Sequence, residues 1–423
     1  MQYLFSAAAL LSLASGAYAQ CGGQTFTGST TCVAGYTCTY SNAYYSQCLP
    51  SSAASGTTTA HPSSSATHST TSTKGTATST ASGYVSTTTP AAGSGKVKYG
   101  GINIAGFDFG CDTSGDCTAA NAYPPLTQYY GPDGYGQITH FVKDDNFNMF
   151  RLPVGWQFLT NNVLTGTLNS TNFAEYDTLV QDCLGLGAHC IIDIHNYARW
   201  NGEIIGEGGP ANSIFASLWS SLATYYKSQP NVIFGVMNEP HDLTSVTTWA
   251  GTVQAAVTAI RNAGATSQYI LLPGNDWTSA ATIWSDGSGA ALLNVTNPDG
   301  TKTNLIFDVH KYSDSDNSGT SATCVTDNIS TAFAPLADWL RSNGRQAINS
   351  EFGGGNNAGC VSYMQSQLAY LNTNSDVYLG WTGWAAGSFA GQNYVLSMVP
   401  TNTSGVWTDT MLVAQALVPA FNA

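Results

Sequence analysis

The stretch Cys190-Ile-Ile-Asp-Ile-His195, the helix-like run 214–227 and the stretch Val232-Ile-Phe-Gly-Val-Met-Asn-Glu-Pro240 follow one another with short gaps. Both apolar runs are short, rich in β-branched residues and closed by polar or ionisable groups. Such a run suits a strand buried on both faces of a sheet. Strand, helix, strand is the unit from which parallel sheets are built. Working outward, eight such runs recur, at 99–105, 149–154, 190–194, 232–237, 269–272, 305–309, 346–349 and 377–380. Helix-like stretches separate most of them, among them 173–186 and 245–262. Eight strand–helix repeats predict an α/β chain folded as a (β/α)8 TIM barrel. The competing arrangement is an open, doubly wound sheet. A nucleotide-binding version is disfavoured, because no Gly-rich fingerprint follows an early strand.

Barrel enzymes carry their chemistry just past the C-terminal ends of the strands. Here those positions read Arg151-Leu-Pro-Val154, Asp193-Ile-His-Asn-Tyr197, Asn238-Glu-Pro240, Asp308-Val-His-Lys-Tyr312 and Ser350-Glu-Phe-Gly353, and the eighth strand leads into Trp381 and Trp384. A single ionisable group at a strand end is usually a satisfied core residue. Six strands in eight ending this way is hard to explain by packing, because each such group is costly to bury unless paired or functional. Glu239 and Glu351, from the fourth and seventh strands, would face each other across the barrel mouth. Two carboxyls are what cleavage of a glycosidic bond needs, one to protonate the leaving oxygen and one to attack or activate water.

These phrases carry a family resemblance. Gly101-Ile-Asn-Ile-Ala-Gly-Phe107, Arg151-Leu-Pro-Val-Gly-Trp156, Asp193-Ile-His-Asn-Tyr-Ala-Arg-Trp200, Met237-Asn-Glu-Pro-His241, Asp308-Val-His-Lys-Tyr312 and Ser350-Glu-Phe-Gly353 stand in the order found in fungal cellulases of glycoside hydrolase family 5. The segment from about Tyr99 onward resembles that family throughout. The resemblance implies a retaining double displacement with Glu239 as acid/base and Glu351 as nucleophile. It implies that Asn238 bonds the sugar 2-hydroxyl, that His195 and His310 position the acid/base and substrate, and that Trp384 is the stacking floor at the cleavage point. Arg151 and Tyr312 are the expected stabilisers of an ionised Glu351. Trp200 and Trp277 are looser candidates for further subsites, with packing as the alternative for each. The mechanism needs no metal or organic cofactor. The seven His are scattered without ligand spacing, and no Gly-x-Ser-x-Gly elbow is present.

The N-terminal region is organised differently. Residues 1–19 read as a signal peptide, with an apolar stretch at 4–13 too short to span a bilayer and the small-x-small site Ala17-Tyr18-Ala19. Residues 20–50 hold four cysteines, too short a block to fold without disulfides. Residues 51–95 are dominated by Ser and Thr, with Lys74 the only formal charge, and read as an O-glycosylated linker. The barrel is expected over residues 96–423. Cys21-Gly-Gly23, Cys32, Cys38 and Asn42-Ala-Tyr-Tyr-Ser-Gln-Cys48 resemble carbohydrate-binding module family 1, the fungal cellulose-binding domain. The resemblance implies the pairs Cys21–Cys38 and Cys32–Cys48 in a small β module. It also implies an aromatic platform of Tyr44 and Tyr45, with Asn42 and Gln47 as hydrogen-bonding partners and Phe26 at a further aromatic position. The family carries another aromatic three positions before its first cysteine. Tyr18 fills that place, and cleavage after Ala19 would remove it.

Ten cysteines, an even number, fit an oxidising compartment. The six later ones allow 15 pairings. Short separations suggest Cys111–Cys117 and Cys183–Cys190, which leaves Cys324–Cys360. Sequons stand at Asn169, Asn294, Asn328 and Asn402. A net charge of −13 argues against nucleic acid or anionic membranes as partners. The 22 Tyr, 16 Phe and 10 Trp with only 12 Lys and Arg suit neutral sugars, whose C–H faces stack on rings. The expected partners are cellulose and soluble β-1,4-glucans, the expected state a monomer and the expected location extracellular. β-1,4-Mannan is the alternative substrate, and a non-catalytic wall-binding protein the alternative class. The acidic composition leads us to expect an acidic pH optimum.

Overall fold

The computed structural model describes residues 20–22, 30–32, 34–42, 45–50 and 95–423. The chain divides into two units, residues 1–85 and 86–423. In the first unit, strands Gln20–Gly22, Tyr36–Asn42 and Tyr45–Pro50 form an antiparallel sheet with the last strand in the middle. Cys32 and Cys38 are disulfide-bonded, and the side chains of Cys48 and Cys21, the partners expected for them, lie outside the described residues. So do Phe26, Tyr44, the side chains of Asn42, Tyr45 and Gln47, the signal segment and the linker.

The second unit is a closed barrel of eight parallel strands, numbered here in chain order. They are β1 (Tyr99–Ala105), β2 (Met149–Val154), β3 (His189–Ile194), β4 (Val232–Gly235), β5 (Ile270–Pro273), β6 (Leu305–His310), β7 (Ala347–Phe352) and β8 (Tyr378–Gly387). β8 returns to pair with β1, Gly380 beside Tyr99, which closes the ring. The helices include α1 (Gly134–Lys143), α2 (Ser170–Gly185), α3 (Asn212–Tyr226) and α4 (Val246–Asn262). After β5 the helix shrinks to Ser288–Leu292.

The strands read as near-continuous apolar runs because both faces are covered. Inward, one residue from each strand builds a ring: Tyr99, Met149, Ile191, Ile233, Leu271, Ile306, Ile348 and Leu379. Outward, residues such as Phe150, Ile192, Phe234 and Phe307 pack in the larger core that includes residues of the surrounding helices. This is the filled interior of a barrel, not a pore. Disulfides join Cys111–Cys117, Cys183–Cys190 and Cys324–Cys360, the pairs that sequence separation suggests.

Several bounds differ from the sequence reading, β8 most, running to Gly387 rather than ending at 380, and three others bear on how the site and its helices are placed. β4 ends at Gly235, so the residues up to Glu239 lie beyond it, and Glu239 takes a left-handed φ of 41°. A non-glycine residue there costs energy, and such strain clusters at functional sites. β7 runs to Phe352 and therefore includes Ser350 and Glu351, because their neighbours on β6 and β8 continue the ladder. α2 begins at Ser170 because Asn169 caps it, accepting from the backbone N–H of Thr171 and Asn172.

Candidate active site

Alternation along the strands lifts polar groups above the apolar ring. Asp193 and then His195 follow Ile191 at two-residue steps, Arg151 follows Met149, Asp308 and His310 follow Ile306, and Ser350 follows Ile348. Their side chains converge at the C-terminal end of the barrel. There a cleft of about 800 Å³ is lined in part by His195, Glu239, Tyr312, Glu351 and Trp384.

Arg151 is the centre of charge. Fully buried, it donates to Glu351 Oε2 at 2.7 Å, to Asn238 Oδ1 at 2.6 Å and to Asn103 Oδ1 at 3.0 Å, and it pairs with Asp193 at 3.0 Å. The Tyr312 hydroxyl donates to the other oxygen of Glu351 at 2.6 Å. Burial raises the Tyr312 phenol well above its usual range, so it keeps the proton it donates. Glu351 thus accepts from a cation on one oxygen and from a hydroxyl on the other.

Glu239 stands in the opposite condition. Burial, and then the nearby Glu351 charge, push its carboxyl well above the usual range. Its partner is His310, with Nδ1 2.8 Å from Glu239 Oε1. Burial, followed by Arg151 and His195, holds His310 well below its ordinary value, so it is neutral. Its Nε2 lies 3.0 Å from Ser350 Oγ, and Ser350 donates to Asp308 Oδ1 at 2.5 Å. That order fixes the protons. With Ser350 donating to Asp308, His310 donates from Nε2 to Ser350, and Nδ1 is left to accept from a protonated Glu239. Asp308 is itself pushed up to about 7, mainly by burial. Four carboxyls thus share one buried Arg. Asp193 and Glu351 touch it, while Glu239 and Asp308 are the two that burial drives toward holding protons.

A carboxylate oxygen of Glu239, one of Glu351 and a His310 nitrogen lie within 4.8 Å of one another. Asn238 uses its Oδ1 on Arg151, and its buried NH2 has no partner within the protein, leaving a donor for a ligand. His195 Nδ1 meets Asp193 Oδ2 at 2.8 Å, and its ring stacks on Trp384 at 5.4 Å and 14°.

All eight residues singled out for the catalytic site therefore meet in one place. Of the looser pair, Trp277 lines the cleft and stacks on His241 at 3.9 Å, while Trp200 is buried against Trp156. Trp381, flanking the eighth strand's site residues in the sequence, is fully buried in the core against Phe147 and Phe421. Sequence reasoning gave no role to Asp193, Asp308, Ser350 or Asn103, although the first three stand inside the phrases quoted for the site. Tyr394 gave no signal, yet it lines the cleft from a loop beyond β8.

A closed parallel barrel with two convergent carboxyls in opposed environments is the arrangement that glycosidic bond cleavage requires. The family model described as Cellulase (glycosyl hydrolase family 5) matches residues 109–387, and that described as Fungal cellulose binding domain matches residues 17–45. Over 404 residues, 95% of this chain and 93% of the relative, the sequence is 57% identical to Endoglucanase EG-II of Hypocrea jecorina. The crystal structure of Cel5A (EG2) from Hypocrea jecorina superposes with a TM-score of 0.75 at 62% identity, covering 76% of this chain and 98% of that one. XacCel5A in complex with cellopentaose is similar at a TM-score of 0.66 and 30% identity, over 77% of this chain and 99% of that one. The chain belongs to glycosyl hydrolase family 5.

Proposed function

We propose that this protein is a secreted endo-β-1,4-glucanase that cleaves internal bonds of cellulose with retention of configuration. The observation that carries the reading is the opposed environment of the two carboxyls, with Glu351 accepting from Arg151 and Tyr312 on opposite oxygens and Glu239 pushed toward its protonated form by burial beside His310. Glu351 attacks the anomeric carbon while Glu239 protonates the departing oxygen. Glu239 then takes a proton from water, which releases the sugar from Glu351. Retaining enzymes keep their carboxyl groups about 5–5.5 Å apart; oxygens of this pair within 4.8 Å of each other are consistent with that spacing. The Asn238 amide is placed to donate to the 2-hydroxyl, a bond that strengthens in the transition state. Trp384 offers a ring face to the sugar. Cellulose as substrate is supported by the similarity to Endoglucanase EG-II and to the cellopentaose-bound structure, and by the cellulose-binding match at residues 17–45. Export is supported by the signal-like residues 1–19 and the even cysteine count; among the described residues no helix is long and apolar enough to cross a membrane.

The test is a paired assay on carboxymethylcellulose and β-mannan, following viscosity and reducing ends together. A fast viscosity drop on the glucan with little action on mannan is the expected result. Preference for mannan would move the substrate while keeping the site. Activity on neither, with cellulose binding intact, would overturn the enzymatic reading.

A further inference from the structure

A second cluster of ligand-type side chains lies far from this cleft. His140 stands in the last turn of α1, Asp144 and Asp145 follow it, and Asp409 follows the hairpin formed by Thr401–Thr403 and Val406–Thr408. In a (β/α)8 barrel the turn from α1 into β2 belongs to the end opposite the catalytic loops. His140 Nε2 lies 2.9 Å from Asp409 Oδ1 and 3.7 Å from Asp145 Oδ2, and the three atoms fall within 4.8 Å of one another. His140 and Asp145 are each only 5% exposed. Asp145 Oδ2 is buried and has no hydrogen-bond partner, although it points into this cluster. A buried carboxylate oxygen without a hydrogen bond, with its nearest cationic group 3.7 Å away, is costly and leaves room for a closer counterpart.

The other ring nitrogen completes the pattern. His140 Nδ1 lies 2.7 Å from Asp144 Oδ2, so Asp144 accepts the Nδ1 proton and orients the ring. Metal-binding histidines are generally fixed in this way, by a carboxylate on the nitrogen that does not bind the ion. The indole of Trp407 stacks on the His140 ring at 5.8 Å and 15°. An ion about 2.1 Å from each ligand keeps neighbouring ligand atoms roughly 3.0–3.4 Å apart. The observed 2.9 and 3.7 Å bracket that range. The C-terminal end of α1 adds its partial negative charge, which also favours a cation.

We propose that His140 Nε2, Asp145 Oδ2 and Asp409 Oδ1 bind one divalent transition-metal ion of the Zn2+ or Mn2+ type, fastening the C-terminal hairpin to α1. One imidazole with two carboxylates suits these ions better than Ca2+ or Mg2+, which prefer oxygen alone. His140 and Asp409 stand 269 positions apart, which is why ligand spacing in the sequence does not reveal the set.

The test uses the full chain, stripped with chelator and desalted. Titration calorimetry with ZnCl2 and with MnCl2 is run beside thermal melts, with CaCl2 as control. One equivalent should bind and raise the melting temperature. Asp145→Asn and Asp409→Asn should each weaken binding at least about ten-fold, and Asp144→Asn by a comparable factor through the ring it orients. Asp409 is the more exposed ligand, so its variant keeps the test open if Asp145→Asn fails to fold. Glu239→Gln should leave binding unchanged. Binding that survives both ligand variants, or that Glu239→Gln removes, would place the ion elsewhere and overturn the proposal. No heat and no change in melting temperature with either metal would also overturn it, leaving the cluster held by protons alone.

Discussion

Arg151 sits with no exposed surface between Asp193 and Glu351, and this placement divides the work of two identical side chains. Replacing Glu351 by Gln keeps its volume but removes the nucleophile. Replacing Glu239 by Gln removes the transferable proton, a role worth about 10²–10⁴-fold in rate. Glu351→Gln should lose at least about three orders of magnitude in kcat and Glu239→Gln about two to four, each still binding soluble cello-oligosaccharide normally. Ordinary turnover in either would move the site. Ser350 is open to a finer experiment. Ser350→Ala takes away the acceptor that keeps the His310 proton on Nε2. The proton can then sit on Nδ1 and donate to Glu239, favouring its ionised form. A raised Glu239 pKa keeps the acid protonated until pH climbs through it, so activity is lost on the basic side. In Ser350→Ala that basic limb should move to lower pH, by about one unit or less. Superimposable pH profiles would show that Ser350 does not hold the proton in place.

Elements supply position through their ends. Ser245 caps α4, accepting from the Thr248 N–H at 3.1 Å, and the backbone just before the helix is pinned by Glu207, which accepts from Thr244 and Ser245. Ser245→Ala should cost about 1 kcal/mol in stability with kcat unchanged; denaturant melts and initial rates measure the two separately. Sequence reading places a helix-like stretch at 245–262, and the structure gives Val246–Asn262. Strand ends are less legible. β4 stops two residues before its apolar run does, and β7 extends three residues past its own. Polarity marks where a run becomes costly to bury, whereas ladder bonding to neighbours decides where a strand ends. Trp381 and Trp384 show the same limit. Three residues apart on one strand, one fills the core and the other lines the cleft, and only the course of β8 tells them apart.

At the scale of the whole molecule, the two units predict separable behaviour. A chain beginning at Lys96 should keep its rate on carboxymethylcellulose and lose most of its retention on crystalline cellulose; a pull-down beside a viscosity assay reads both, and full retention would refute a binding role for residues 20–50. The fold also ranks the sequons. Asn328 is only 2% exposed and donates its amide to the Tyr312 carbonyl at 2.8 Å, so that nitrogen is committed. Asn294 and Asn402 are exposed. Peptide mass spectrometry of the protein expressed through a fungal secretory pathway should find Asn328 bare, and a glycan there would contradict the packing.

The barrel, the paired glutamates and the Arg and Tyr that attend Glu351 were all legible in the sequence. Periodicity, polarity at strand ends and cysteine spacing are local signals, and each survives without knowledge of the fold. Which carboxyl keeps its proton was not legible from the residues alone. That depends on burial and on the distance to one Arg, quantities that exist only once eight strands close. The same holds for Asp308 and Ser350 behind His310, and for His140 meeting Asp409 across most of the chain. Sequence determined which chemical groups are present, and tertiary structure decided which of them share a charge, because electrostatic partners are set by ångströms in space rather than by positions along a chain.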